Sequence, residues 1–268
     1  MKLGLVLRTM GAQSTRETLR ACAHAAERAG VDELWVVDHL AIPPDQSEGS
    51  GGRYLDALAA LAWLAAVTER VGLGTAVLIL PYRPALPTAK QIATIQELSG
   101  QRLRLGVGVG WMEGEFRALG VDRGRRGRLA DETLASWHAW FAGDEARANG
   151  QPFLFRPRPP RPPIFVGGAP PHAFERALRF GEGWMPMGTD PEKLRPQAER
   201  LRALAAERGR PPPEIAAMGA LPLEDPGRAR EQLAALAALG VTRVVHGARY
   251  ADADELRASA ERLAALRA

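Results

Sequence analysis

Two stretches hold side chains whose types and spacing suit chemistry. The first is Asp38-His39, directly after the apolar run ELWVV at 33–37. Histidine exchanges protons near neutral pH, and a neighbouring carboxylate can orient it or share a ligand's polar edge. The second is LRLGVGVGWMEGE, 103–115. Leu103, Leu105, Val107 and Val109 share one parity, whereas Arg104, Gly106, Gly108 and Gly110 share the other. Side chains alternate across a strand. One face is therefore branched and apolar and the other almost bare, open to a close backbone or a flat ligand. Gly167-Gly168 forms a third point of interest, because free N–H groups at a helix start bind anions. GVGVG is a poor nucleotide fingerprint: it lacks the GxGxxG spacing, and no GK[ST] follows.

The elements that position these residues alternate along the chain. Apolar strand runs are expected at 2–7, 33–37, 71–80, 103–109, 163–166, 183–187, 214–221 and 241–245. Helical stretches are expected at 54–70, 85–98, 171–180, 191–208, 226–239 and 252–266. A first helix begins at a Ser14/Glu17 capping box and stops at Gly30, and a broken helical segment covers 113–141. Residues 143–162 read as a polar, then proline-rich surface connector, a better reading than a PxxP ligand. Strict strand–helix alternation implies a parallel sheet. Eight units in 268 residues imply an α/β fold, a single-domain (β/α)8 TIM barrel. Active sites of such barrels lie at the C-terminal strand ends. There stand Arg8, Asp38-His39, Val109-Gly110-Trp111, Gly167-Gly168 and Met185 to Gly188. Trp111, Trp184 and Met187, with Arg8, are the expected substrate pocket.

Composition narrows the classes. The net charge is +4, and lysine occurs only at Lys2, Lys90 and Lys193. The one basic cluster, Arg123 to Arg128, has no interleaved aromatics and reads as a solvated helix entry rather than a nucleic-acid site. No apolar run reaches 18 residues, so no membrane span is expected. No signal peptide is legible, and a cytoplasmic enzyme is the expectation. Cys22, the single cysteine, falls on an apolar helix face and reads as core. His24, His39, His138, His172 and His246 are scattered, so no metal site is expected. An organic cofactor fits best.

Four segments resemble the luciferase-like monooxygenase superfamily: ELWVVDHLAIP (33–43), the long run from Val71 to Val121, PPIFVGGAPPHAFERALRFGEGWMPMG (162–188), and the strand–helix tail. The superfamily is a (β/α)8 barrel using flavin or coenzyme F420. Asp-His after the second strand is similar to the F420-dependent branch, in which that histidine sits beside the reacting ring. The resemblance implies a cis peptide at Ala76–Val77 behind the ring, and phosphate contacts at Val109-Gly110 and Gly167-Gly168. It implies an F420-dependent oxidoreductase acting on a small organic substrate, with Asp38 and His39 as catalytic and cofactor-binding residues, and a homodimer. An FMN-dependent monooxygenase served by a separate reductase is the alternative. A cofactor-free ligand-binding barrel is the second. The F420-dependent glucose-6-phosphate dehydrogenases carry an acidic glutamate where Trp111 stands here, which argues against that reaction. Glu113 and Glu115 are left open as replacements.

Overall fold

A computed structural model describes residues 1–267. Its strands are β1 Lys2–Val6, β2 Glu33–Val36, β3 Gly72–Ile79, β4 Leu103–Gly108, β5 Glu145–Ala148, β6 Gln151–Leu154, β7 Ile164–Gly167, β8 Gly183–Met185, β9 Glu214–Gly219 and β10 Val241–His246. All but β5 and β6 pair in parallel and close a barrel in the order β1-β2-β3-β4-β7-β8-β9-β10. The helices are α1 Arg16–Ala29, α2 Ala57–Val67, α3 Ala85–Leu98, α4 Glu113–Ala118, α5 Arg126–Ala142, α6 His172–Phe180, α7 Pro191–Glu207, α8 Pro226–Ala238 and α9 Ala253–Ala264. The expected (β/α)8 barrel is the observed fold. Among the described residues, no helix is long and apolar enough to cross a membrane.

Strand parity separates two cores. Leu103, Leu105 and Val107 of β4 point outward into the large layer shared by strands and helices. The other parity points inward, where Trp35, Ala76, Phe165, Met185, Ala216 and Val245 fill the barrel. Below them the barrel is plugged by charge: Arg243 lies 3.5 Å from buried Glu33 and 2.9 Å from Glu214.

The bare face of β4 is filled from inside the fold. A Cβ on Gly106 would overlap the Thr75 carbonyl oxygen, and one on Gly108 would fall 2.6 Å from a Val77 methyl. The β3–β4 register shifts between Thr75 and Leu78, and the Ala76–Val77 peptide is cis, at the bond the family resemblance implied. The glycines of β4 thus make room for the bulge of β3. The bulge, rather than β4 alone, is what a ligand meets.

Several local expectations are corrected. Thr15, not Ser14, caps α1, accepting from Thr18 N–H at 3.2 Å; the Ser14 hydroxyl donates to the Gly11 carbonyl. Asp56 caps α2, so that helix starts three residues later than expected. The stretch expected to be a plain connector contains the antiparallel hairpin β5–β6. Its turn is Asn149-Gly150, both at positive φ, the pair that suits a tight hairpin turn.

Gly106→Ala is expected to cost about 3 kcal/mol or more, since the Thr75 backbone cannot give way. Gly247→Ala, where a Cβ meets nothing within 4 Å, is the neutral control. Urea unfolding of both variants measures the difference.

Candidate active site

The C-terminal strand ends surround one cavity of about 450 Å³. Ten of the expected site residues line it: Asp38, His39, Ala76, Val77, Val109, Gly110, Trp111, Gly167, Gly168 and Met187. Trp111 and Met187 stand at its rim, 65% and 75% exposed. Val37, Ile79, Gly108, Met185 and Met218 complete the wall. Met218 escaped the sequence reading because β9 was expected to run to Leu221; it ends at Gly219, which brings Met218 up to the mouth.

Two expected pocket residues lie elsewhere. Trp184 is buried, points outward from β8, and meets the Phe174 ring edge-on at 5.0 Å. The physical reason is parity: its neighbour Met185 takes the inward position. Trp184 still acts on the site from behind, because its Nε1–H donates to the Gly168 carbonyl at 2.9 Å. Arg8 is tied to Tyr250: its backbone N–H donates to the Tyr250 hydroxyl oxygen at 2.7 Å and its guanidinium to the Tyr250 carbonyl at 3.2 Å. It does not line the cavity.

His39 is fixed by a buried glutamate. Its Nδ1 lies 2.7 Å from Glu115 Oε2, which also accepts from the Tyr82 hydroxyl at 3.1 Å. Glu115 Oε1 accepts the N–H groups of Leu40 at 2.7 Å and Ala41 at 3.0 Å. Burial alone would raise the Glu115 carboxyl. The Ala41 N–H, His39 and the Leu40 N–H outweigh it and hold the group below the usual glutamate range. Glu115 is therefore a carboxylate, which only accepts, so His39 Nδ1 carries a proton. In the neutral ring Nε2 is then the free base. It has no partner among the described residues, on a ring that lines the cavity. Tyr54 meets the same ring edge-on at 5.0 Å. The open choice between Glu113 and Glu115 is resolved by helix geometry: Glu113 pairs with Arg117 at the surface, and Glu115 turns inward on α4.

Asp38 has a different duty from the one its place beside His39 suggested. Its Oδ2 accepts Ile79 N–H at 2.9 Å and its Oδ1 pairs with Arg83 at 2.6 Å. Arg83 also holds Asp56, the cap of α2, at 2.8 Å. Burial works against charge on Arg83, but the two carboxylates outweigh it and hold the guanidinium firmly protonated. Asp38 thus ties the end of β3 to the loop before α2, and burial pushes its carboxyl above the usual range against the pull of Arg83 and the Ile79 N–H. Tyr82 and Arg83 were missed because the reading of that strand end stopped at Pro81.

His246 is buried away from the cavity. Its Nδ1 accepts Leu221 N–H at 2.9 Å, and burial pushes its pKa down to about 4.

A second pocket of about 320 Å³ adjoins the cavity and shares Val109, Gly167 and Gly168 with it. It is basic, with Arg126, His172 and Arg176 around it. The first turns of α5 and α6 both border it, and neither helix has a side-chain cap; the Arg126 and Ala173 N–H groups are spent on the Arg123 and Ala169 carbonyls, so the side chains supply its positive charge.

Glu115→Gln is expected to destabilise the fold by about 2 kcal/mol, because an amide NH2 replaces an oxygen that faces donors. The pH dependence follows the sign of the shift. A carboxylate held below its unfolded value adds stability above about pH 4.5, and that share is lost as pH falls through the folded value. Urea unfolding between pH 3 and 7 should show the variant with a shallower acid limb than the wild type.

Comparison with known proteins agrees with this geometry. The family model described as luciferase-like monooxygenase matches residues 1–267. An uncharacterized protein of Mycobacterium tuberculosis is 34% identical over 286 aligned residues, covering 99% of this chain and 98% of that protein. The FMNH2-dependent dimethylsulfone monooxygenase of Pseudomonas putida is 33% identical over 157 residues, covering 54% of this chain and 43% of that protein. The coenzyme F420-dependent tetrahydromethanopterin reductase of Methanopyrus kandleri superposes with a TM-score of 0.72 at 16% identity, covering 97% of each chain, a likeness of fold. The barrel, the bulge at its third strand and the match over its whole described length place this chain in the luciferase-like monooxygenase family.

Proposed function

We propose that this chain is an oxidoreductase that transfers a hydride between coenzyme F420 and a small organic substrate. The observation that carries the reading is His39, a histidine with one committed and one free ring nitrogen on the wall of an apolar cavity. The residues present fit a flat ring with an anionic tail. The ring would lie on the Ala76–Val77 bulge, between Gly108 and Gly167, where Val77 already fills the space a Cβ would need. The tail would run past Gly168 into the basic pocket of Arg126, His172 and Arg176. Gly168 has φ near +111°, a backbone that favours glycine and leaves the turn bare.

A bound deazaflavin supplies a carbon that accepts or gives a hydride and reacts poorly with oxygen. The chain does the rest. His39 Nε2 takes or returns the proton of a substrate oxygen, Glu115 keeps the ring in the required tautomer, and Ile79, Met185 and Met218 keep water off the reacting face. The FMN reading is favoured by the name of the Pseudomonas putida relative and by the monooxygenase description of the family model. The open tail pocket, bordered by Arg126 and by Arg176 in its 2.6 Å pair with Asp131, favours the longer and more anionic coenzyme.

Titration of the purified protein with F420 and, separately, with FMN, followed by fluorescence, tests the proposal. Tight F420 binding that weakens several-fold in Arg126→Ala/Arg176→Ala, and weakens with added salt, is expected. F420-coupled turnover should fall by 10²-fold or more in His39→Ala, the usual scale for a lost acid–base group. FMN binding with F420 ignored would move the chain to the monooxygenases.

A further inference from the structure

We propose that the molecule sharing this cavity with the cofactor is uncharged and largely apolar: a small neutral alcohol or carbonyl compound, never an anion or a cation. The inference rests on the cavity being the reaction site, and it goes on to name the class of substrate.

Three features carry it. First, no lysine or arginine lines the cavity, and the part nearest the mouth is made of Trp111, Met185, Met187 and Met218. Methionines fit irregular apolar shapes and offer no charge. Second, the ionisable side chains in the wall are Asp38 and His39. Both oxygens of Asp38 are spent on Ile79 N–H and Arg83, so no free carboxylate remains for a cation. Of the ionisable side chains His39 Nε2 alone is left free, enough for one hydroxyl or carbonyl oxygen. Third, the fixed charge behind the wall is unfavourable to anions. Glu115 and Asp56, both held below their usual carboxylate ranges, set two negative charges against the one on Arg83, and Asp38, which burial pushes up, adds no positive charge. A substrate carboxylate or phosphate would lose its water against thioethers and an indole and gain no counter-charge. The cations of the neighbouring pocket, Arg126, His172 and Arg176, surround the expected place of the cofactor tail, not the mouth between Trp111 and Met187.

The exposure of the rim agrees with this. Trp111 and Met187 are among the few large apolar side chains left in water, and an apolar molecule seated between them covers both.

Calorimetric titration with three molecules of one size and shape tests the proposal: cyclohexanol, cyclohexanecarboxylate and the cyclohexylammonium ion. The protein is first saturated with whichever of F420 or FMN it binds, or used as purified if it binds neither, so that failure of the cofactor assignment is read separately. Cyclohexanol is expected to bind at least roughly tenfold more tightly than either ion, a gap on the order of the desolvation cost of an unpaired charge. Met187→Lys, at an exposed position the fold does not need, should narrow the gap between alcohol and carboxylate by several-fold. Equal binding of the three, tighter binding of either ion, no measurable binding of cyclohexanol, or an unchanged ratio in Met187→Lys overturns the proposal.

Discussion

A carboxylate taken out of water must be met by donors, and the upper face of this barrel is arranged around one that is. Glu115 has no exposed surface, and its two oxygens collect four hydrogen bonds from two other parts of the chain. Leu40 and Ala41 bring in the loop after β2, Tyr82 brings in the turn after β3, and Glu115 itself belongs to α4. Any one donor adds only about 1–3 kcal/mol when the acceptor is charged. Together they turn three mobile connections into one rigid bracket, and His39 hangs from it. The histidine's orientation is thus a consequence of a charge that has nowhere else to go.

A second bracket, centred on Asp38 and Arg83, does for the bulge of β3 what Glu115 does for His39. Asp38 holds Ile79 at the end of β3, and Arg83 connects it to the cap of α2. Charge is thereby kept behind the wall, where it positions backbone, while the wall itself is methionine, valine, isoleucine and glycine. The same division runs down the barrel axis: ion pairs of Glu33, Arg104, Arg243 and Glu214 plug the lower end, and an apolar cavity occupies the upper one. A fold with its charges so committed offers a bound molecule shape, one imidazole nitrogen and little else.

Much of this was legible in residue order. Period-two apolar runs separated by helical stretches specify a closed barrel, and the strand-end rule then finds His39, the Val109–Trp111 turn and Gly167-Gly168 with no structure at all. What escaped the reading was set by contacts distant in sequence. Glu115 and Glu113 sit two residues apart on one short helix, and only packing against residues 39–41 and 82 decides which is buried. Trp184 was misplaced because a strand of three residues leaves its inward parity undefined until its neighbours are known. Asp38 beside His39 suggested a pair, yet each found a different partner, Arg83 for the carboxylate and Glu115 for the imidazole. The β5–β6 hairpin was the one local feature within reach, since Asn149-Gly150 announces it; the prolines that follow obscured the signal.

The account stands or falls on the protonation of one ring. Long-range nitrogen–proton NMR correlation on protein with labelled histidines reads each tautomer directly. If Glu115 holds the Nδ1 proton, the neutral ring of His39 shows a protonated Nδ1 and a bare Nε2, and it loses that preference in Glu115→Ala. A wild-type His39 that carries its proton on Nε2 would mean that Glu115 does not set the ring, and that the free base assigned to the cavity does not exist.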